Sequence, residues 1–154
     1  MGFPTIKITL PGSIRSKKNS HKPVTIPSKR ETKIKALFKY GWKYAQVLIV
    51  PGKAYKKWEK DARAQLMALL PPGRKLLTVP LHIKAIFYYK GNRPDLHGAE
   101  ESLADCLEGY VYEDDKQIES WDGSRMVWDK ADPRIEIEIS KYEPEDHLMP
   151  LFKK

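Results

Sequence analysis

A long alternating segment that leads directly into a helical one constrains the fold of this chain more than any other part of its sequence. Residues 76–90 predict a long β-strand, because the apolar residues Leu81, Ile83, Ala85, Phe87 and Tyr89 occupy alternate positions and so share one face. Pro80 indicates that strand pairing is interrupted near its start. Apolar residues then recur at helical spacing, at Leu96, Ala99, Leu103 and Leu107. With Gly109 as a natural end, the sequence predicts a short helix after the strand.

Acidic side chains lie on both sides of this predicted helix. Asp95 precedes it, and the pair Asp114 and Asp115 follows residues 110–112, which predict a short strand. If that strand runs back along the helix, we expect Asp95 and Asp115 to come near each other. Converging carboxylates are the hard oxygen ligands that Mg²⁺ accepts, with a substrate phosphate completing the set. The pattern therefore indicates a metal site suited to phosphodiester chemistry.

A second interpretation of the same residues needs no metal. Asp95 follows Pro94 and has the side chain of a helix N-cap, which accepts a backbone hydrogen bond. Asp114 and Asp115 are equally suited to a solvated turn. The spacing alone leaves both interpretations open.

The charge of the chain is unevenly distributed. Lys and Arg total 28 against 20 Asp and Glu, which gives a formal net charge of +8. Many of the bases lie in residues 15–63, whereas acids gather in residues 95–122. A segregated basic surface is expected to attract nucleic acid, although basic proteins without an anionic partner are also common.

Two basic segments are the main candidates for contact with DNA. Residues 13–20 predict a basic loop, and residues 53–70 predict the clearest helix, with one cationic and one apolar face. The side chains expected to contact DNA phosphates are Arg15, Lys17 and Lys18 in the loop, Lys56, Lys57 and Lys60 on the helix, and Arg93 before Asp95. The residues expected on the buried face of the helix are Tyr55, Trp58, Ala62, Leu66 and Leu69.

The remaining segments complete an α+β fold. The other predicted elements are strands at residues 5–10, 46–50 and 135–139, a basic hairpin or loop at 21–45, and a hairpin turn at 121–124. We therefore expect a single domain, residues 1–140, in which a mixed β-sheet packs against two main helices. Residues 141–154, which contain proline and many charges, predict a C-terminal tail.

The single cysteine and the absence of long apolar runs bear on the compartment. Cys106 lies on the apolar side of the second predicted helix, which indicates a small buried hydrophobe rather than a nucleophile. One cysteine permits no internal disulfide, which is consistent with a reducing cytoplasm. We find no signal-peptide pattern and no run of membrane-spanning length, so no membrane partner is expected.

Three motifs, in order, resemble those of the RusA family of Holliday-junction resolvases, including its phage members. The central motif is Arg93-Pro94-Asp95-Leu96, then a helix with Asp105, then Glu113-Asp114-Asp115-Lys116-Gln117-Ile118. Ser16-Lys17-Lys18-Asn19-Ser20 resembles the basic N-terminal motif, and residues 50–60 are similar to the proline-initiated basic helix. The resemblance implies that Asp95 and Asp115 bind metal and take part in catalysis, with Asp114 an adjacent acidic match. It also implies a homodimer that acts on four-way DNA junctions in a bacterial or phage-infected cell.

The sequence departs from the family pattern at two charged positions. His97 stands where a second aspartate is usual, and Glu101 stands where the catalytic-type lysine is usual. Three interpretations of His97 remain open. It binds a metal, which would favour Mn²⁺; it is a general base oriented by Glu101; or it is an exposed residue of a catalytic set that has decayed.

Two hypotheses about function follow. The first is a divalent-metal-dependent endonuclease that cleaves branched DNA, using Asp95, His97 and Asp115, with Mg²⁺ or else Mn²⁺ and no small-molecule cofactor. The second is a DNA-junction binding protein with the resolvase fold and no catalysis, which the residues His97 and Glu101 would explain.

Overall fold

Strand β4, Leu81–Tyr89, is the central strand of the computed structural model, which describes residues 3–17, 22–26, 46–50 and 52–144. The other strands are β1, Ile6–Pro11; β2, Lys22–Ile26; β3, Gln46–Val50; β5, Ile118–Ser120; β6, Arg125–Trp128; and β7, Arg134–Lys141. The helices are α1, Lys53–Leu69, and α2, Leu96–Leu107, with a short 3₁₀ helix at Asp115–Gln117.

Strand β4 is paired on both of its edges. On one edge it pairs antiparallel with β7, which in turn pairs antiparallel with β1. On the other edge it pairs in parallel with β5 and then with β6. The result is the predicted mixed sheet, with five strands.

The hydrophobic core lies between this sheet and the two helices. The core residues of the two central strands are Leu81, Ile83, Ala85 and Phe87 in β4, and Ile135, Ile137 and Ile139 in β7. They alternate along each strand, so they lie on one face of the sheet, and the buried side chains of α1 and α2 belong to the same core. The predicted α+β fold with two main helices is therefore confirmed.

Helix α1 buries the stripe that its apolar spacing predicts, with one exception. Tyr55, Trp58, Ala62 and Leu66 are buried, but 55% of Leu69 is exposed. Leu69 is the last helical residue, and the chain leaves the helix at Leu70 in an extended conformation. Leu70 then packs against the core instead of Leu69. The prediction that Leu69 is buried is therefore wrong.

Helix α2 has the predicted bounds. Asp95 caps it by accepting a hydrogen bond from the backbone N–H of Gly98 at 3.1 Å. Past its end, Gly109 has a φ of 77°, a left-handed conformation that glycine adopts without strain. Cys106 is fully buried, and its burial raises the pKa of the thiol to about 12, which keeps it in the neutral form.

Two predicted elements are wrong. Residues 110–112 form a turn instead of a strand, because Tyr112 folds back and accepts a hydrogen bond from Gly109 N at 2.8 Å. Residues 121–124 do form a turn, but β5 and β6 on either side of it both run parallel to β4 and do not make a hairpin. The turn instead lies between β5 and β6, which pair one after the other with the same edge of β4.

The outer segments are described only in part. Strands β2 and β3 pair antiparallel in a separate two-stranded sheet, and the segment between them, residues 27–45, lies outside the described residues. Of the predicted tail, Lys141 ends β7 and Tyr142 N donates to Pro80 O at 2.9 Å, whereas residues 145–154 lie outside the described residues. No helix in the described part of the chain combines the length and the apolar character that crossing a membrane requires.

Two leucines three residues apart on α1 test this description of the core. Leu66 is fully buried and Leu69 is more than half exposed. We expect Leu66→Ala to lower the free energy of unfolding by about 2–5 kcal/mol, because it leaves a cavity. Leu69→Ala, the matched control, should change it by less than about 0.5 kcal/mol. Chemical denaturation checks both values, and equal losses would contradict the assigned orientation of the helix.

Candidate active site

A cleft of about 610 Å³ extends along α2. Its polar lining residues are His97, Glu100, Glu101 and Asp105 from α2, Lys17 from the segment after β1, and Asp115 from the chain after α2. Ile118 and Trp121 form part of its apolar wall. Carboxylates therefore outnumber the single cationic lysine among the described residues that line this cleft.

His97 lies beside two glutamates in the cleft. Its Nε2 atom is 3.2 Å from Glu101 Oε1, and its Nδ1 atom is 4.0 Å from Glu100 Oε2. Burial raises the pKa of the Glu100 carboxyl, His97 lowers it, and the charge of Asp95 raises it further. The contact between His97 and Glu101 that the sequence suggests is therefore present, between two residues that line the cleft.

Lys17 enters the cleft from a distant part of the sequence. Its Nζ atom is 3.0 Å from Asp105 Oδ2, and both side chains are partly exposed. The backbone N–H of Lys17 also donates to the buried hydroxyl of Ser102 at 2.9 Å. Ser102 and Asp105 of α2 therefore fix both the main chain and the side chain of Lys17.

A second group of carboxylates overlaps the cleft at Asp115. Glu108, Asp114 and Asp115 each offer an oxygen atom within 4.8 Å of the others, although all three residues are exposed. Glu108 also accepts a hydrogen bond from the backbone N–H of Asp115 at 3.0 Å. Partial desolvation raises the pKa of Asp115, and the charges of Glu108 and Asp114 raise it further. The group therefore concentrates negative charge where the chain returns to the sheet.

Hydrogen bonds from one glutamine hold this acidic loop in place. The Gln117 side-chain oxygen accepts from the backbone N–H groups of Glu113 and Asp114, at 3.0 and 2.9 Å. Its Nε2 donates to the carbonyls of Leu77 and Val79, at 2.9 and 3.1 Å. Gln117 thus ties the loop to the segment that leads into β4.

Asp114 has a structural role in the same loop. Its side chain accepts from the backbone N–H of Lys116 at 2.9 Å and caps the 3₁₀ helix. The turn interpretation of Asp114 is therefore correct in its geometry, and the same residue is also a member of the carboxylate group.

The structure does not place Asp95 in that carboxylate group. Asp95 precedes the first residue of α2 and Glu108 follows the last, and a helix of 12 residues is about 18 Å long. Oxygen ligands of a single Mg²⁺ lie about 2.1 Å from the ion, so they must be much closer together than this. Asp95 therefore caps one end of α2, whereas the group of three carboxylates lies at the other end.

The described residues that were predicted to contact DNA are distributed over one helix, α1, and two loop segments. The exposed ones, in addition to Lys17 in the cleft, are Arg15, Lys56, Lys57, Lys60 and Arg93. Lys18 lies outside the described residues. Arg63 of α1, which the sequence places on the same cationic face, instead donates to the carbonyl of Asp105 at 2.9 Å and pairs with Glu59 at 3.2 Å.

Sequence reasoning missed Glu108 and the position of Lys17. Glu108 carries a local signal, since it is the last residue before the glycine that ends α2, but only the turn at 109–112 shows that it meets Asp115. Lys17 was expected at the DNA backbone, and no local pattern could reveal its contact with Asp105, which is 88 residues away.

The described part of the chain is thus an α+β protein with a five-stranded mixed sheet, two helices packed on one face of it and an acidic cleft along the second helix. The family comparison makes this specific, because the model of Endodeoxyribonuclease RusA matches residues 23–140 of the chain. The chain therefore belongs to the RusA endodeoxyribonuclease family, whose members are nucleases that resolve Holliday junctions. None of the curated proteins compared with the chain matches it.

The carboxylate group fits the divalent metal on which RusA nucleases depend. All three of its members supply hard oxygen ligands, which suit Mg²⁺ or Mn²⁺ and do not select a softer metal. The raised pKa of Asp115 reflects in part the repulsion between these charges, which a bound cation would relieve. One Glu108 oxygen already accepts the Asp115 N–H and so holds that carboxylate in place beside the group.

Replacing Gln117 tests whether this residue holds the acidic loop. Gln117→Ala removes four hydrogen bonds to backbone groups, so we expect the free energy of unfolding to fall by about 1–3 kcal/mol. Gln65→Ala, at an exposed position on α1, is the matched control and should change it by less than about 0.5 kcal/mol. Urea denaturation measures both. Equal stability of the two variants would mean that water replaces these bonds without loss.

Proposed function

We propose that the protein is a divalent-metal-dependent, structure-selective DNA endonuclease that resolves Holliday junctions or related branched DNA. The observation that supports this best is the cleft along α2, which combines a group of carboxylates with a histidine and a lysine in a chain of the RusA family. Affinity for DNA comes from the net charge of +8, since phosphate contacts contribute without reading sequence.

The metal would be held by Asp115 together with Glu108 and Asp114. Mg²⁺ is the metal we propose, with Mn²⁺ as the other candidate. When bound, a divalent ion polarises the scissile phosphate and lowers the pKa of an attacking water. The protein's own part is to hold the carboxylates together, through the Glu108 contact with Asp115 N–H and the Gln117 contacts with the loop.

His97 accepts a proton in this proposal. Its Nε2 faces Glu101, so the carboxylate favours the tautomer that carries hydrogen on Nε2 and leaves Nδ1 as the base. Glu100 lies near Nδ1 but farther away, at 4.0 Å. The imidazole is largely exposed, and a water molecule can therefore reach it.

Lys17 binds the phosphate that enters the cleft. An acidic cleft repels DNA, and Lys17 supplies the one positive charge among its described lining residues. Its pairing with Asp105 at 3.0 Å holds the ammonium group in the cleft before the substrate arrives. The other predicted DNA-contacting residues, including Lys18, would hold phosphates farther from the cut.

Assembly and compartment belong to the same proposal. A homodimer would present two clefts to a four-way junction, which allows paired cuts in strands related by the two-fold axis. Such an enzyme would act in the cytoplasm of a bacterial or phage-infected cell and would need no small-molecule cofactor.

A second candidate function is binding of branched DNA without cleavage. It is favoured by the position of Asp95, which caps α2 at the end away from Glu108, Asp114 and Asp115. It is also favoured by Glu101, whose negative charge lies in the cleft.

Cleavage of a labelled four-way junction decides between these functions. We expect paired nicks with Mg²⁺ or Mn²⁺, none with EDTA and none in a matched linear duplex. Asp115→Asn should lower the cleavage rate by about 10- to 100-fold or more, because it removes a metal ligand. Glu113→Gln, an exposed acidic neighbour outside the group, is the control and should cleave normally. Tight junction binding without nicks under any metal would establish the second function.

The role of Asp95 needs variants that separate its charge from its cap. Asn is as good an N-cap as Asp, so Asp95→Asn keeps the bond to Gly98 N and removes the charge. If Asp95 takes part in catalysis, Asp95→Asn loses cleavage and keeps both junction binding and wild-type stability. Asp95→Ala should in addition lose about 0.5–2 kcal/mol of stability. Full cleavage by Asp95→Asn would show that the carboxylate acts only as a cap.

A further inference from the structure

A basic groove lies beside the cleft. The segments 13–17 and 93–97 contribute lining residues to both surfaces. Two adjoining cavities form the groove, of about 340 and 580 Å³, and they share Ser13, Arg15 and Ala54. Its cationic lining residues are Arg15, Lys57, Lys90 and Arg93, against the single carboxylate of Asp61. None of these four cations forms an ion pair with another residue of the described ranges. The charge balance is therefore opposite to that of the cleft.

The start of α1 adds to the positive potential of the groove. Ala54 and Tyr55, in the first turn of the helix, are lining residues. Gly52 makes no side-chain cap and the first turn contains no acidic residue, so the N-terminal N–H groups and the helix dipole are not neutralised by a carboxylate there. This arrangement is suited to a phosphate.

Two chain segments connect the groove to the cleft. Arg15 lines the groove and Lys17, two residues later, lines the cleft. Similarly, Arg93 lines the groove and His97 lines the cleft. Because Arg15 and Lys17 are two residues apart, their Cα atoms are separated by at most about 7 Å, so one anionic strand can contact both surfaces.

We propose that this groove binds the sugar-phosphate backbone of the DNA strand next to the phosphodiester in the cleft. Arg15 and Arg93 contact the phosphate nearest the cleft, and Lys57 contacts one farther along the strand. Lys90 binds at the end of the groove nearest β4. The substrate class is a DNA strand recognised by its phosphates, without base reading. This inference rests on the proposed nuclease function for the place of the cut, but the groove can be tested by binding alone.

The test measures binding of a four-way junction without divalent metal, over a series of salt concentrations. Arg15→Gln/Arg93→Gln is compared with Arg74→Gln/Lys75→Gln, which removes two charges in the segment between α1 and β4, outside the groove. Both double variants lower the formal net charge of +8 equally. We expect the slope of log K against log salt to fall in magnitude by about 1.4–1.8 for the groove variant only.

Neutral methylphosphonate linkages locate the contacts. Placed singly along one strand, they should weaken wild-type binding at one or two linkages and have no effect there on the groove variant. Lys57→Gln/Lys90→Gln, a second groove variant, should give the same loss of slope if the first variant proves unstable. Equal slopes for groove and control variants, or methylphosphonate sensitivity that persists in the groove variant, would overturn the proposal. Because these measurements need no cleavage, an inactive enzyme would reject the nuclease function and leave the groove result to be judged separately.

Discussion

The parallel pairing of β4 with β5 is the constraint on which the position of the site depends. Parallel neighbours cannot be joined by a tight turn, so the chain must cross back over one face of the sheet between them. Helix α2 makes this crossing, and its buried stripe fills the space above the sheet. The crossing fixes Asp95 after the end of β4 and returns Asp115 near the start of β4, three residues before Ile118, which pairs with Leu81. The two aspartates therefore lie at opposite ends of α2, and of the two only Asp115 lines the cleft.

The acidic loop is held by groups that carry no charge of their own. Tyr112 is fully buried, and its hydroxyl donates to Ala104 O at 2.6 Å, which fixes the turn after α2 against the helix. Gln117 then binds the loop to the segment before β4. These contacts bring Glu108 and Asp115 together although their charges repel, and this repulsion adds to partial desolvation in raising the pKa of Asp115. Repulsion that packing sustains is typical of sites that receive a cation.

Elements with strong local signals could be predicted from the sequence, and contacts that depend on topology could not. The bounds of α2 follow from its apolar spacing and Gly109. The alternate positions of the isoleucines in β7 predict that they are buried on one face of the strand. The turn at 121–124 has the local chemistry of a hairpin, but strand direction depends on a partner, β4, more than 30 residues away. Likewise, the sequence gives Asp95 two roles, cap and ligand. The structure contains the cap bond to Gly98 N, and the length of α2 separates Asp95 from Glu108.

Basic and acidic residues are segregated along the sequence, and in the structure they line two separate surfaces, the basic groove and the acidic cleft. This arrangement bears on how an acidic site could bind DNA, which is itself an anion. Carboxylates that can hold a metal must also repel phosphate, so binding energy has to come from outside the cleft. The segments 13–17 and 93–97 meet this requirement, because each of them lines the basic groove at one end and the cleft at the other. In the proposed function, attraction in the groove would bring the DNA strand to the cleft, where Lys17 and a bound cation would offset the carboxylates. The short path between the two surfaces would then couple binding to cleavage.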